Sequence, residues 1–135
     1  MDRVAAVFLL RHDGAALMQH RDDKPGLRHP GMWVPPGGHA DEGESMPDCA
    51  RRELLEETGY RAVELSFLMH VQDTAPGFAT NELALFWAWY DGVQPVVCHE
   101  GQALEFVTRR KAGSLPVPVT LLAAWDEALR RAGLA

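Results

Sequence analysis

The stretch Gly37–Tyr60, GGHADEGESMPDCARRELLEETGY, decides how the chain folds. It follows Met32-Trp33-Val34, a short strand, and opens through Pro35-Pro36-Gly37-Gly38, a run that cannot sit in a helix. Glu42-Gly43-Glu44 reads as loop. Ser45 then looks like a helix N-cap, with Pro47 in the first turn and Asp48 three residues on. The spacing predicts a helix from Met46 to Thr58 that stops at Gly59. At about 100° per residue, Glu53, Glu56 and Glu57 share one face of that helix. Met46, Cys49 and Ala50 lie on the same stripe, while Asp48, Arg51, Leu55 and Thr58 lie opposite and read as the wet side. The acidic face is therefore the end of the inward stripe.

Three carboxylates converging beside a core repel one another and are costly to desolvate. They take up protons, or they share bound cations. Ligation by carboxylates alone, without His or Cys, favours a hard cation, Mg²⁺ or Mn²⁺. The plainer alternative is a solvated, salt-bridged helix surface. Arg52, next to Glu53 and four residues before Glu56, can brace one carboxylate but cannot neutralise three. Gly37-Gly38 permits close backbone approach, and Glu44 at the helix mouth either adds a carboxylate or holds Arg52.

Outward from this stretch, the pattern is that of strands around two helices. Val4–Leu10 is apolar on both alternations, as a strand covered on both faces would be. His12-Asp13-Gly14 signals a turn, and Ala16–Arg21 is the returning strand. Val63–Val71 alternates, with Val63, Leu65, Phe67, Met69 and Val71 expected on the buried face. Leu83–Tyr90 is apolar on both sides and reads as a central strand; Pro95–Cys98 and Leu104–Val107 are short strand candidates. Arg109-Arg110-Lys111 ends a short helical turn, and Pro116–Ala132 is a closing helix with Leu121, Leu122, Trp125 and Leu129 inward. A mixed sheet with helices on both faces follows.

Composition narrows the function. A chain of 135 residues with 47% hydrophobic and 24% charged residues is expected to form one domain, residues 1–135, with its own core. No apolar run is long enough to span a membrane, and the start lacks the marks of a signal peptide, so the expected location is cytoplasmic. The formal net charge of −6 argues against a nucleic-acid polymer gripped by its backbone, but allows a small phosphorylated ligand held with a metal. Cys49 and Cys98 show no zinc-type spacing and are expected to be buried thiols.

Gly38, Glu44, Arg52-Glu53-Leu54, Glu56-Glu57 and Gly59-Tyr60 together resemble the Nudix box. Seven fixed positions at about 6% each make a chance match far rarer than one in a million. Tyr60 stands where an aliphatic residue is commoner. The resemblance implies the Nudix fold, an α/β/α sandwich with a mixed sheet. It implies divalent-metal-dependent hydrolysis of the pyrophosphate linkage in a nucleoside diphosphate derivative: a nucleoside triphosphate, ADP-ribose or a nucleotide sugar. It places Glu53, Glu56 and Glu57 as ligands of Mg²⁺ or Mn²⁺, with the carbonyl of Gly38 and with Glu44 in support, and Arg52 orienting the glutamates. Glu53 or Glu56 would take the proton of the attacking water. Glu100 resembles the extra acidic ligand or base of MutT-like members; the alternative is a solvated loop glutamate. Glu105 alternates outward.

Arg21, Lys24 and Arg28 are candidate phosphate contacts in the loop before the box, or else solvated loop charges. Trp33, Phe78, Trp87 and Trp89 are candidate stacking rings, with Trp87 and Trp89 expected in the core. Asn81, the one asparagine, falls away from the closing helix, where members that clear oxidised guanine nucleotides carry a base-reading Asn. Pro76-Gly77 stands near a proline seen in ADP-ribose hydrolysing members, and also suits a plain hairpin turn. The expected partner is a small nucleotide, with a homodimer left open. The competing function is a non-catalytic Nudix-fold module that senses a nucleotide; such modules typically lose box glutamates, and here none is missing.

Overall fold

A computed structural model describes residues 1–134 of the chain. Helix α1 spans Met46–Thr58, with Ser45 Oγ accepting from the Asp48 amide at its start and Gly59 at φ +77° at its end. These are the predicted bounds. Its buried residues are Cys49, Ala50, Leu54, Glu57 and Thr58. Thr58 belongs to the inward side rather than the wet one, because its hydroxyl donates back to the Leu54 carbonyl at 2.7 Å and accepts from the Tyr60 amide at 3.1 Å.

The strands are β1 (Arg3–Leu10), β2 (Ala16–His20), β3 (Trp33–Val34), β4 (Gly37–His39), β5 (Ser66–Asp73), β6 (Asn81–Trp89) and β7 (Ala103–Val107). They form one mixed sheet in the order β3-β2-β1-β6-β5, with β4 also on β1 and β7 also on β2. β1 runs parallel to β6 along its whole length, from Arg3↔Glu82 to Leu10↔Trp89. Helix α2 (Arg109–Ala112) is a short turn, and α3 (Val119–Arg131) closes the chain.

Alternation along β1 sorts the core into two layers. Ala5, Val7 and Leu9 face α1, together with Leu17, Cys49, Ala50 and Leu54. Ala6, Phe8 and Leu10 face α3, together with Leu121, Trp125 and Leu129. The result is an α/β/α sandwich. Among the described residues no helix is long and apolar enough to cross a membrane.

Four expectations fail. β5 starts at Ser66, not Val63, and carries a bulge between Phe67 and Met69. The extra residue is Leu68, which is buried while Phe67 is 47% exposed and Val63 84% exposed. One inserted residue reverses the faces of a strand, so the alternation read from Val63 holds only beyond the bulge. Pro95–Cys98 forms no strand; the Val97 amide turns instead to the Thr58 carbonyl at the end of α1. Cys98, carried on that segment, is consequently exposed; Cys49 is buried as expected. Trp87 packs against the core, but Trp89 is 38% exposed and stacks on His12.

The split of β1 between two partners positions the site. β1 meets β2 at Leu10↔Ala16, beside the turn, and then pairs with β4 from Ala6↔Gly37 to Val4↔His39. β2 meanwhile takes β3 and β7 as partners. The gap between the diverging strands lies beside the acidic stripe of α1.

Candidate active site

A cavity of about 540 Å³ occupies this gap. Gly37, Gly38, Glu53 and Glu100 line it, with Gln19 and Arg21. Its apolar wall comes from Val4, Ala6, Val34, Leu83 and Leu121. Gly38 leaves room for the Glu53 carboxyl as placed: a Cβ there would stand 2.7 Å from Glu53 Oε1. The backbone of β4 thus passes directly against the carboxyl group of α1. The Gly38 carbonyl accepts from Cys49 Sγ at 3.5 Å.

Arg52 organises the acids. Its Nε donates to Glu44 Oε2 at 2.8 Å and its second terminal nitrogen to Glu44 Oε1 at 2.9 Å, a two-point pair. The other terminal nitrogen donates to Glu53 Oε1 at 2.9 Å and to Glu56 Oε2 at 3.2 Å. Arg52 therefore touches three glutamates, and its own pKa is raised, chiefly by Glu44. Glu44 in turn is held down to about 2 by that guanidinium. Of its two predicted roles, holding Arg52 is the one the geometry displays. Glu56 lies on the outer side, 57% exposed and turned onto Arg52.

Glu57 is the unusual residue. It is 6% exposed, and its Oε2 is buried without a hydrogen-bond partner. Burial, and then the neighbouring Glu100 carboxyl, push Glu57 up to about 9. Glu53 is also raised, first by burial. Glu100 is lowered, first through its closeness to Glu57. Among the described residues no three His, Cys, Asp or Glu side chains are gathered closely enough to hold an ion as placed. The donors nonetheless suit a hard divalent cation: every candidate atom is oxygen, one is buried and unpartnered, and two carboxyl groups meet.

A carboxyl whose folded pKa is raised favours folding while it keeps its proton. In the unfolded chain it ionises from about pH 4.5, so stability falls as pH rises from there towards 9. Without divalent cation, the protein is expected to lose on the order of 4 kcal/mol between pH 5 and pH 8 through Glu57. Urea unfolding at both pH values, compared with Glu57→Gln, checks this; an equal pH slope in the variant would show that Glu57 is not the source.

The other predicted residues divide. Glu100 lines the cavity, as do Arg21 and Arg28. Arg21 Nε is buried without a partner. Arg28 is engaged: it donates to the Asp73 carbonyl at 2.9 Å and to the Ala79 carbonyl, and lies over the Phe78 ring. Lys24 stands outside, its side chain 70% exposed and near Asp22. Glu105 is exposed, as its alternation predicts. None of Trp33, Phe78, Trp87 and Trp89 lines this cavity. Asn81 and Gln19 are among the lining residues that the sequence does not place at the site. Asn81 lines the cavity and is buried at 6% exposure, because it opens β6 opposite Asp73. Gln19, 2% exposed, bridges α1 to the segment that carries Glu100. A polar residue inside an otherwise apolar strand was the signal available for Gln19.

Fold and site together define an α/β/α sandwich with an acidic cleft where β1 and β2 part within the sheet. The chain belongs to the NUDIX family: the NUDIX domain model matches residues 1–124. It is 43% identical over 58 residues to a putative 8-oxo-dGTP diphosphatase of Bacillus subtilis, covering 43% of this chain and 35% of that protein. It is 31% identical over 102 residues to an RNA pyrophosphohydrolase of Bartonella henselae, covering 70% of this chain and 48% of the relative. The matches span between 14% and 48% of the length of the curated relatives. The MutT protein of Methanosarcina mazei superposes with a TM-score of 0.82 at 20% identity, covering 97% of this chain and 94% of that one, which supports the fold.

Proposed function

We propose that the protein hydrolyses the pyrophosphate linkage of a nucleoside diphosphate derivative, using a divalent cation and water. The observation that carries this reading is the unpartnered buried oxygen of Glu57, set beside Glu100 behind a cavity that Glu53 and Arg21 line. A buried carboxyl raised in this way is unfavourable for a fold that never uses its charge. Glu53, Glu56 and Glu57, with the Gly38 carbonyl and Glu100, would hold Mg²⁺ or Mn²⁺. The cation, when bound, cancels phosphate charge and acidifies water.

The chain's own groups do the rest. Arg21 offers a guanidinium to a phosphate in the cavity. Glu53 and Glu100 line the cavity and would accept the water proton, whereas Glu56 faces Arg52. Arg52 fixes the Glu53 carboxylate through its 2.9 Å hydrogen bond. The attacking water forms the new P–O bond as the anhydride P–O bond breaks, and its proton passes to the carboxylate. The apolar wall with Asn81 suits a nucleoside. Intact charged box positions favour turnover over a sensing module.

The test is a panel with Mg²⁺: the common nucleoside triphosphates, 8-oxo-dGTP, ADP-ribose, a nucleotide sugar and an RNA bearing a 5′-triphosphate. Product analysis should show cleavage at one phosphoanhydride, abolished by chelator. Saturable binding without product would support the sensing module, and turnover insensitive to chelator would remove the cation from the mechanism.

A further inference from the structure

Gln19 stands where three parts of the molecule meet. It lies on β2, 2% exposed, and its amide is directed between α1 and the segment 97–102. Its Nε2 donates to Glu57 Oε1 at 3.4 Å and to the Glu100 carbonyl at 3.2 Å. The segment is fastened on both flanks. The Val97 amide donates to the Thr58 carbonyl at 2.9 Å and the His99 amide to the Glu57 carbonyl at 3.0 Å. The Gln102 amide donates to the His20 carbonyl at 2.8 Å. Gly101 makes the approach possible: its φ is +83°, and a Cβ there would stand 2.6 Å from the His20 carbonyl oxygen and 3.1 Å from Gln19 Cγ.

The choice of an amide matters. An Arg or Lys in this place would add a positive charge beside Glu57 that opposes a bound cation, whereas Arg52 is already shared among Glu44, Glu53 and Glu56. Gln supplies donors without charge. It holds Glu57 through Oε1, leaves Oε2 unpartnered, and keeps the full negative charge of the ionised form available. The same nitrogen fixes the backbone of Glu100, whose carboxyl meets that of Glu57.

We propose that Gln19 is a positioning residue that sets Glu57 and Glu100 as a pair towards a divalent cation. This rests on the cation-dependent reading above. Supporting residues of this kind typically change metal affinity by about 10- to 100-fold when removed.

The test uses Gln19→Met, close in volume but without a donor, in the whole chain and without nucleotide. Free Mn²⁺ is followed by electron paramagnetic resonance, and amide exchange is followed over residues 97–102. The expected results are Mn²⁺ affinity lower by about tenfold or more and faster exchange of that segment, with folded spectra retained. Gly101→Ala keeps the Gln19 amide but presses the segment away from the His20 carbonyl and Gln19 Cγ, and should weaken Mn²⁺ binding similarly. On a cleaved nucleotide, Gln19→Met should lower kcat at saturating nucleotide more than it changes KM. Unchanged exchange in Gln19→Met, or Mn²⁺ affinity within twofold of the parent in either folded variant, overturns the proposal. A parent that takes up no Mn²⁺ overturns the cation reading instead, and the exchange result still judges the hold of Gln19 on the segment.

Discussion

Glu57→Gln is expected to lower turnover by about a hundredfold or more, while the cation-free protein becomes more stable at pH 8. The two effects share one cause. Glu57 is nearly the size of its amide, so the substitution leaves no void. What it removes is a charge that burial opposes and that Gln19 does not compensate. The neutral amide folds without that cost, yet gives a divalent cation no carboxylate. Glu53→Gln should also lower turnover, by about 10² to 10⁴, the span typical of a lost general base. Its side chain is 16% exposed and keeps an oxygen for Arg52, so folding should be little changed. Steady-state rates on any substrate the panel yields, with Mg²⁺ present, and melting curves at pH 8 with chelator are the measurements. Rates equal to the parent in both variants would take these carboxylates out of the mechanism. Lower stability in Glu57→Gln would show that the buried charge is compensated in a way the hydrogen bonds do not reveal.

The contrast between these glutamates and their neighbours marks how far the sequence could be read. Helix α1 was legible to the residue because its signals are local: a capping hydroxyl at Ser45, a left-handed Gly59, and carboxylates at helical spacing. The family resemblance is carried by the same stretch. What periodicity could not supply is how segments distant in sequence share hydrogen bonds. Val96 and Val97 look like strand residues, yet the Val97 amide caps the Thr58 carbonyl of α1 instead of joining a ladder. Leu68 reverses the faces of β5 through a bulge, which leaves no periodic mark. Spacing puts Glu53, Glu56 and Glu57 on one face, but not how each is used. Arg52 draws Glu56 outward, while Gln19 and the Glu100 segment enclose Glu57. The same holds for cations before the box: Arg21 reaches the cavity and Lys24 does not, because β2 ends at His20 and the chain then leaves over the surface.

Gly37→Ala and Gly38→Ala, adjacent and chemically identical changes, are expected to fail in different ways. At Gly37 a Cβ would overlap the Ala5 carbonyl oxygen and stand 2.7 Å from Ala6 Cα. Those atoms belong to β1, which is fixed along its whole length by parallel pairing with β6. Nothing there can yield without breaking the β1–β4 pairs Ala5↔Gly38 and Ala6↔Gly37. The expected cost is about 3 kcal/mol or more, seen as a fall of roughly 10 °C in melting temperature. At Gly38 the Cβ instead meets the carboxyl end of Glu53, a flexible side chain that can rotate away. Gly38→Ala should therefore melt within a few degrees of the parent, yet lose about tenfold or more in turnover as Glu53 leaves its place against the backbone of Gly38. Melting curves for both variants and rates for Gly38→Ala separate the outcomes. A Gly37→Ala protein as stable as the parent would mean that β4 is not pinned to β1, and the site would lose its floor. A fully active Gly38→Ala would mean that the contact between β4 and the Glu53 carboxyl does not hold that group for chemistry.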